Sequence, residues 1–248
     1  MRALRIATAA LVLLSVVACK STETKDPLLN LAAGESLVQG KALFEKKKYA
    51  QARKYFQHAF EAEPNSSAGR EGLLLAADTL YLQGSNTNLI QSEAKYRDFQ
   101  NRFPTSDRAP YVQFQIARSL VGRMERPDRD QSVAQKALES LRDLQRLYPT
   151  SEYAAQAQEE VGKVRKNLAE HEFMIGRFYL RYGLPAAAVK RLEYLLTTYP
   201  EYDEKDKILY HLGRAYREQG EKEKAQAQFD KLRNDFPKSP FAAKAGKA

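Results

Sequence analysis

Few residues of this sequence could do chemistry. Cys19 is the only cysteine among 248 residues, and the three histidines, His58, His171 and His211, lie far apart. A thiol can act as a nucleophile, a metal ligand or a point of covalent attachment. The histidines lack the HExxH spacing of a zinc site, and the chain contains neither GxSxG nor a glycine-rich phosphate loop. We therefore expect no active site, no metal and no cofactor, which leaves Cys19 as the residue to explain.

Cys19 directly follows a short apolar segment. Arg2 and Arg5 precede residues 6–18 (IATAALVLLSVVA), which carry no charge. A helix of about 13 residues is too short to span a hydrocarbon core of about 30 Å, but this pattern is typical of a secretory signal peptide. The run VVAC resembles the bacterial lipobox, in which the cysteine is diacylated and becomes the new N-terminus. The alternatives are a plain signal peptide with an incidental cysteine and an uncleaved anchor.

The lipobox resemblance implies a covalent N-acyl and S-diacylglycerol lipid on Cys19, so the mature chain would have no free thiol and no disulfide. Several acyl chains anchor a protein much more firmly than one. Lys20, rather than an aspartate, follows the cysteine, which implies transport to the periplasmic face of the outer membrane. We expect residues 1–18 to be the signal peptide and residues 19–30 to be the lipidated N-terminus and a flexible tether.

The charge of the chain does not favour a nucleic-acid partner. Removing the two arginines of the signal peptide from the formal charge of +9 leaves +7 (9 − 2). Charged residues of both signs make up 29% of the sequence, which is typical of solvated helices. Secretion also argues against nucleic acid.

Five segments of the remaining chain end in a similar way. They close with FEAEPNS, QNRFPTS, QRLYPTS, LTTYPEY and RNDFPKS. Small and aromatic residues recur upstream of each proline; in the last unit they include Gly213, Tyr216, Ala225 and Phe229. Glycine or alanine allows two helices to approach closely, and proline ends a helix. These offsets resemble the tetratricopeptide repeat (TPR), whose period is 34 residues.

The TPR resemblance predicts an all-α fold, a right-handed superhelical solenoid of about five degenerate helix-turn-helix repeats; the alternative is a generic helical bundle. Successive prolines are 37 to 51 residues apart, so the units carry insertions. We place one at 83–92, between the helices of unit two, and one at 122–133, at the same junction of unit three. A third, at 151–173, should extend the first helix of unit four to about 30 residues, ending at Arg181.

A more specific resemblance comes from the departures from a plain repeat. The lipobox, the tether, a PDRD loop in unit three and the run LAEHEFMIGRFYLRYGLPAAAVKRLEYLLTTYP in unit four together resemble the BamD family of outer-membrane assembly lipoproteins. The resemblance covers residues 12–236 and implies a non-enzymatic subunit of the β-barrel assembly complex. It implies that C-terminal repeats (122–240) dock to a POTRA domain of the barrel subunit and that N-terminal repeats (31–121) receive nascent β-barrel proteins. Other assembly lipoproteins are further partners, and we expect a disordered tail over 241–248.

Projection of the concave TPR positions predicts a substrate groove in the N-terminal repeats. Its candidate residues are Lys41, Phe44, Leu74, Tyr81, Phe114 and Arg118. Such a groove would suit an extended peptide that ends in an aromatic residue and a carboxylate, which Lys41 or Arg118 could pair. Phe44 and Phe114 could equally be packing residues.

The C-terminal repeats carry candidate partner-binding residues. Arg177, Arg214 and Arg217 share a face with aromatic residues, as at the centres of interfaces, although a solvated face is the alternative. By family resemblance, Lys190 and Arg191 occupy a basic position that couples to the POTRA domain, with Arg191 pairing a carboxylate. A routine surface pair of Arg191 with Glu193 or a neighbour is the alternative.

Two other functions remain open from the sequence. A different envelope TPR lipoprotein, acting in pilus assembly or cell division, would share the repeats and the anchor. A lipid-anchored enzyme would need a catalytic carboxylate or histidine.

Replacing Cys19 tests the lipid anchor. Cys19→Ala should accumulate as unprocessed precursor and take up no radiolabelled fatty acid, because the thiol is the proposed acylation site. Gel mobility and fatty-acid labelling measure this. A processed, labelled Cys19→Ala protein would contradict the lipobox interpretation.

Overall fold

The computed structural model describes residues 27–245, so Cys19, the signal peptide and most of the tether lie outside the described residues. After a 3₁₀ turn at Pro27–Asn30, the described chain forms eleven α-helices: α1 (Ala33–Glu45), α2 (Tyr49–Ala62), α3 (Ser67–Gln83), α4 (Asn86–Arg102), α5 (Ala109–Val121), α6 (Ser132–Leu147), α7 (Glu152–Arg181), α8 (Pro185–Thr198), α9 (Lys205–Glu218), α10 (Lys222–Asp235) and α11 (Pro240–Ala245). Within this range, no helix is both long and apolar enough to cross a membrane.

The helices pack in five consecutive pairs, from α1 with α2 to α9 with α10, and each pair also packs on the next. Contacts between neighbours along the chain are characteristic of a solenoid, in which each repeat buries its apolar face against the adjacent repeat. The predicted all-α solenoid of five TPR helix pairs is confirmed.

Proline ends the second helix of every pair in the same way. The prolines at 64, 104, 149, 200 and 237 each lie two residues after the last helical residue. The residue between them has φ from −142° to −125° and ψ from 55° to 75°. A residue that precedes proline is pushed out of the α region by the proline ring. The repeat boundaries are therefore set locally.

Small residues let the two helices of a pair approach closely, as predicted. In three repeats a glycine on the first helix faces a large side chain 16 positions later on the second. From the position that a Cβ would occupy, the nearest atoms are Phe56 at 2.6 Å from Gly40, Leu192 at 2.7 Å from Gly176 and Phe229 at 2.6 Å from Gly213. A real Cβ would overlap these groups, so the glycines set the distance between the helices.

The insertion predicted at 83–92 is not a loop. Only Gly84 and Ser85 separate α3 from α4, with Gly84 at φ 68° and the Ser85 hydroxyl capping α4 at the backbone N–H of Asn88 (3.2 Å). The extra residues instead lengthen both helices of this pair to 17 residues. Asn86, Thr87 and Asn88 are weak helix formers, and the serine cap offsets that preference.

The other two insertions lie where they were predicted. Residues 122–131 connect α5 to α6 as a loop, and α7 is a single helix of 30 residues that Ser151 caps. The loop is fixed to α7, because His171 donates from Nδ1 to the Pro127 carbonyl (2.6 Å) and Asn167 donates to Gln131 Oε1 (2.6 Å).

The C-terminal end is ordered further than we expected. Residues up to Ala245 form α11, whereas disorder was expected from 241. Ala242 and Ala245 are buried, Phe241 packs against the main core, and Ser239 donates to Asp206 Oδ2 (2.6 Å). The tail prediction is therefore corrected for 241–245, while residues 246–248 lie outside the described part.

Hydrophobic packing does not divide the repeats at the boundary between 121 and 122. One cluster of buried side chains runs from Leu73 to Ala245, and a smaller one joins α1, α2 and Ala76. The predicted N-terminal and C-terminal halves therefore share one core.

The glycine contacts give a stability prediction. Gly213→Ala should lower the free energy of unfolding by about 1–3 kcal/mol, because the added methyl group overlaps the buried Phe229 ring. Gly162→Ala is the matched control: Gly162 is exposed in α7 with no atom within 4 Å of a built Cβ. It should raise stability by about 0.5–1 kcal/mol. Urea unfolding followed by circular dichroism measures both, and equal effects of the two substitutions would contradict the packing role.

Candidate partner-binding surfaces

A cavity of about 480 Å³ opens between α3, α5 and the start of α7. Its walls combine apolar and aromatic side chains with charged ones. The apolar group is Leu74, Leu75, Phe99, Tyr111 and Tyr153, and the charged group is Arg70, Glu71, Asp78, Asp107 and Arg108. A hollow that combines apolar area with charged groups can bind a ligand through both kinds of contact. We call this the N-terminal cavity.

Asp78 organises one wall of the N-terminal cavity. The hydroxyls of Tyr96 and Tyr111 both donate to Asp78 Oδ1, at 2.5 and 2.7 Å, and Gln115 Nε2 donates to the Tyr111 hydroxyl at 2.8 Å. Burial raises the pKa of Asp78, while the two tyrosine hydrogen bonds and the charge of Arg108 oppose that rise. Burial also raises the pKa of both tyrosines. The network holds the Tyr111 ring in place.

The six predicted groove residues are not gathered in one place. Of them, Leu74 lines the N-terminal cavity. Lys41 forms a salt bridge with Glu71 (2.7 Å), and Phe44 is half-buried against the rings of Tyr49 and Phe56 in its own repeat. For Phe44, the structure thus favours the packing alternative.

Arg118 lies against two aromatic rings, one on α3 and one on α5. Its guanidinium carbon is 4.9 Å from the Tyr81 ring centroid and 5.6 Å from that of Phe114. Phe114 is only 5% exposed and belongs to the main core. Tyr81, Phe114 and Arg118 therefore form a stacked group outside the lining of the N-terminal cavity.

Projection along the helices missed the two arginines of the N-terminal cavity. Arg70 lies in the first turn of α3, and Arg108 is the residue before α5. Neither forms a salt bridge with another residue in the range 27–245, although the Arg70 guanidinium lies 5.8 Å from the Phe103 ring centroid. Residues at helix starts and in connections do not follow the period of the helix face, so no spacing signal marks them.

Arg191 forms a salt bridge between α8 and α7. Its Nη1 atom lies 3.1 Å from Glu172 Oε2, with the arginine side chain 43% exposed and the glutamate 14% exposed. Glu193, the alternative partner considered from the sequence, instead accepts a hydrogen bond from the Tyr216 hydroxyl. Lys190 is exposed beside Arg191. The basic position predicted on α8 is thus open to a partner, although Arg191 already has an internal ion pair.

Large apolar side chains are exposed on the same repeat. Phe178 is 53% exposed and Tyr182 is 64% exposed, and their ring centroids are 4.5 Å apart. Met174, Leu184 and Tyr194 are also exposed. Phe178 and Tyr182 thus form a contacting pair of exposed rings, and exposed apolar side chains of this kind are characteristic of interaction sites. We call these five residues the aromatic patch.

Arg177 and Arg214 lie together at a basic cleft between α7, α9 and α11. Two adjoining hollows, of about 260 and 340 Å³, both contain Arg177, His211 and Arg214. Arg217 is exposed three residues further along α9. Burial, followed by repulsion from Arg177, Arg214, Lys244 and Lys207, lowers the pKa of His211 to about 4. His211 is therefore neutral at pH 7.

Asp78 gives a pH-dependence prediction. Since burial raises its pKa in the folded state, the stability that Asp78 contributes is full below the unfolded pKa and is lost as pH rises through the folded pKa. Asp78→Asn keeps an acceptor for Tyr96 and Tyr111 but has no charge to bury. Its stability relative to the wild type should therefore increase from pH 4 to pH 7.

Urea unfolding at both pH values measures this difference. Asp235→Asn is the control, because Asp235 is exposed and forms no salt bridge within the described range. A relative stability of Asp78→Asn that falls on going to pH 7 would show that the charge of Asp78 is stabilised rather than penalised.

Comparison with known proteins places the chain in a family. The model of the YfiO family, described as outer membrane lipoprotein, matches residues 33–232. "Outer membrane protein assembly factor BamD" of Caulobacter vibrioides is 26% identical over 231 residues, covering 92% of this chain and 75% of that protein. BamD of Rickettsia prowazekii is 27% identical over 203 residues, covering 82% and 80%. Among solved structures, the TPR2AB domain of yeast Sti1 in its pHSP90 complex is 16% identical with a TM-score of 0.45, covering 85% of this chain and 80% of that one. The family match spans most of the chain and agrees with the BamD resemblance of the sequence: the chain belongs to the YfiO family of outer membrane lipoproteins.

Proposed function

We propose that this protein is a non-enzymatic subunit of the machinery that assembles outer-membrane β-barrel proteins. The observation that carries the proposal is the family match over residues 33–232, together with relatives named as outer membrane protein assembly factors. A TPR solenoid supports such a role, because stacked helix pairs present extended surfaces to other proteins. In this proposal the lipid on Cys19 holds the protein at the periplasmic face of the outer membrane.

The proposed docking surface for the POTRA domain of the barrel subunit is the unit formed by α7 and α8. The aromatic patch offers apolar area, and Lys190 and Arg191 on α8 offer positive charge on the same repeat. Interfaces often combine aromatic residues with arginine. The salt bridge of Arg191 with Glu172 is partly exposed, and pairs of this kind contribute only about 0–1 kcal/mol. Arg191 can therefore exchange Glu172 for a carboxylate of the partner.

The proposed site for nascent β-barrel proteins is the N-terminal cavity. Its apolar wall can accept an aromatic side chain of an extended peptide. Arg70 and Arg108 can pair the carboxylate at a chain end, since neither forms a salt bridge within residues 27–245. These two arginines replace Lys41 and Arg118 as the proposed carboxylate partners, because Lys41 pairs with Glu71 and Arg118 stacks on Tyr81.

Co-purification of the barrel subunit tests the docking surface. Arg191→Glu should reduce recovery of the barrel subunit with the lipidated protein from membranes by at least about tenfold, because charge reversal in a close interfacial pair weakens binding strongly. Helicity measured by circular dichroism should change little, because the side chain of Arg191 is 43% exposed.

Glu172→Gln is the matched control for this experiment. It removes the internal ion pair but leaves Arg191 in place, so recovery of the barrel subunit should be retained. Loss of the complex in Glu172→Gln as well would indicate that the salt bridge itself maintains the surface. An unchanged complex in Arg191→Glu would move the docking surface elsewhere, with Arg214 and Arg217 the next candidates.

A further inference from the structure

The basic cleft between α7, α9 and α11 is a built site rather than a scattered set of surface charges. Its two lobes share Arg177, His211 and Arg214, which form the junction. Arg181 belongs to the first lobe, and Lys207 and Lys244 belong to the second. Five cationic side chains therefore line a cleft around one half-buried, neutral histidine.

Aromatic rings hold two of these cations in place. The Arg177 guanidinium carbon lies 5.6 Å from the Phe173 ring centroid, and Lys244 Nζ lies 5.2 Å from that of Phe241. The His211 ring contacts both Phe173 and Phe241, at 5.4 and 6.3 Å between centroids. Cations held over rings have lost part of their freedom before a ligand arrives, which lowers the cost of binding.

The positive charge of the cleft is only partly balanced. Within residues 27–245, no carboxylate lines either lobe. Arg214 pairs with Glu218 (3.3 Å) and Lys207 pairs with Glu204 (2.5 Å), each along its own helix or turn. Arg177, Arg181 and Lys244 form no salt bridge in the described part of the chain. Three of the five cations of the cleft therefore have no ion-pair partner within residues 27–245.

From these observations we infer that the basic cleft binds an acidic segment of a partner protein, with one carboxylate in each lobe and an apolar side chain between them. The inference rests on the proposed docking function and assigns a second contact, at residues other than those of the Arg191 salt bridge. Arginine forks bind carboxylates through two parallel hydrogen bonds. The lobes share a junction, so a single short segment can occupy both.

A protein segment fits this cleft better than a phosphate or a lipid headgroup. Phosphate would use the cations but would leave the rings of Phe173, Tyr210 and Phe241 without a contact. A headgroup in a bilayer is presented on a flat surface, whereas the cleft is recessed between three helices. An acidic segment with an aromatic residue satisfies both the cations and the rings, and charge complementarity also speeds association.

Binding of a defined peptide tests the inference. The probe is a fluorescein-labelled octapeptide of Asp and Glu with two Phe residues, and its amide counterpart carries Asn and Gln instead. Fluorescence anisotropy with the full-length protein in nonionic detergent should show binding of the acidic peptide that weakens with added NaCl. The amide peptide should bind at least about tenfold more weakly, as expected when charge-assisted hydrogen bonds are lost.

Substitutions then locate the binding. Arg177→Gln and Lys244→Gln should each raise the dissociation constant at least about fivefold. Arg233→Gln should leave it unchanged, because Arg233 lies on α10 in a comparable helical pair with Asp230 but outside the cleft. Lys244 is exposed on α11, so Lys244→Gln still tests the cleft if Arg177→Gln disturbs the fold. Failure of the acidic peptide to bind, or equal effects of all three substitutions, would overturn the inference.

Two competitors separate the sources of negative charge. Inorganic phosphate and phosphatidylglycerol vesicles should displace the peptide only at charge concentrations far above that of the peptide. If either binds through Arg177 and Lys244 while the peptide does not, the cleft is a phosphate or lipid site and the inference is wrong. Recovery of the barrel subunit in the Arg191→Glu experiment is independent of this result, so the two proposals can fail separately.

His211 provides a direct reading of occupancy. Its pKa is lowered to about 4 partly by the cations that face it. A bound carboxylate would offset that repulsion, so the acidic peptide should raise the pKa of His211 in an NMR titration. His58 and His171 contact backbone carbonyls elsewhere in the structure and serve as internal controls. An unchanged His211 pKa with peptide bound would place the peptide outside the cleft.

Discussion

The close approach of the two helices in each repeat is the constraint on which the other features depend. In three repeats a glycine leaves space for a ring or a leucine 16 positions later, and this contact brings the second helix against the first. The next pair then packs on the surface that the two helices form together, so the main core continues from Leu73 to Ala245. The N-terminal cavity and the basic cleft lie between helices of successive repeats that are fixed in this way.

Local rules explain why much of the fold could be predicted from the sequence. A residue before proline leaves the α region, and a serine cap begins a helix, whatever the rest of the protein does. The five repeat ends and the 30-residue α7 follow from such rules. Local rules do not predict that the 83–92 segment is mostly helical, nor that the six residues of α11 form a helix. A helix as short as α11 is not stable alone, so its formation depends on packing by Phe241, Ala242 and Ala245, which the sequence does not reveal.

The candidate sites were less predictable, for geometric reasons. Concave positions of the repeat identified Leu74, but the N-terminal cavity also takes Arg70, Arg108 and Tyr153 from helix starts and a connection. Their meeting depends on how successive repeats are rotated, which no spacing encodes.

The pairing of Arg191 illustrates a different limit of the sequence pattern. Glu193 is two residues away on the same helix, and residues at that spacing do not face each other, so a partner on a neighbouring helix was the sounder expectation.

Helix α7 fixes the distance between the two hollows. Tyr153, in its first turn, lines the N-terminal cavity, and Arg177, in its last turns, lines the basic cleft. At 1.5 Å per residue, these positions are about 36 Å apart along one uninterrupted helix. A polypeptide chain must be extended over about eleven residues to cover that distance. The helix thus fixes what can occupy both hollows at once: a ligand of about eleven residues must be fully extended, whereas a helical ligand needs about 24 residues.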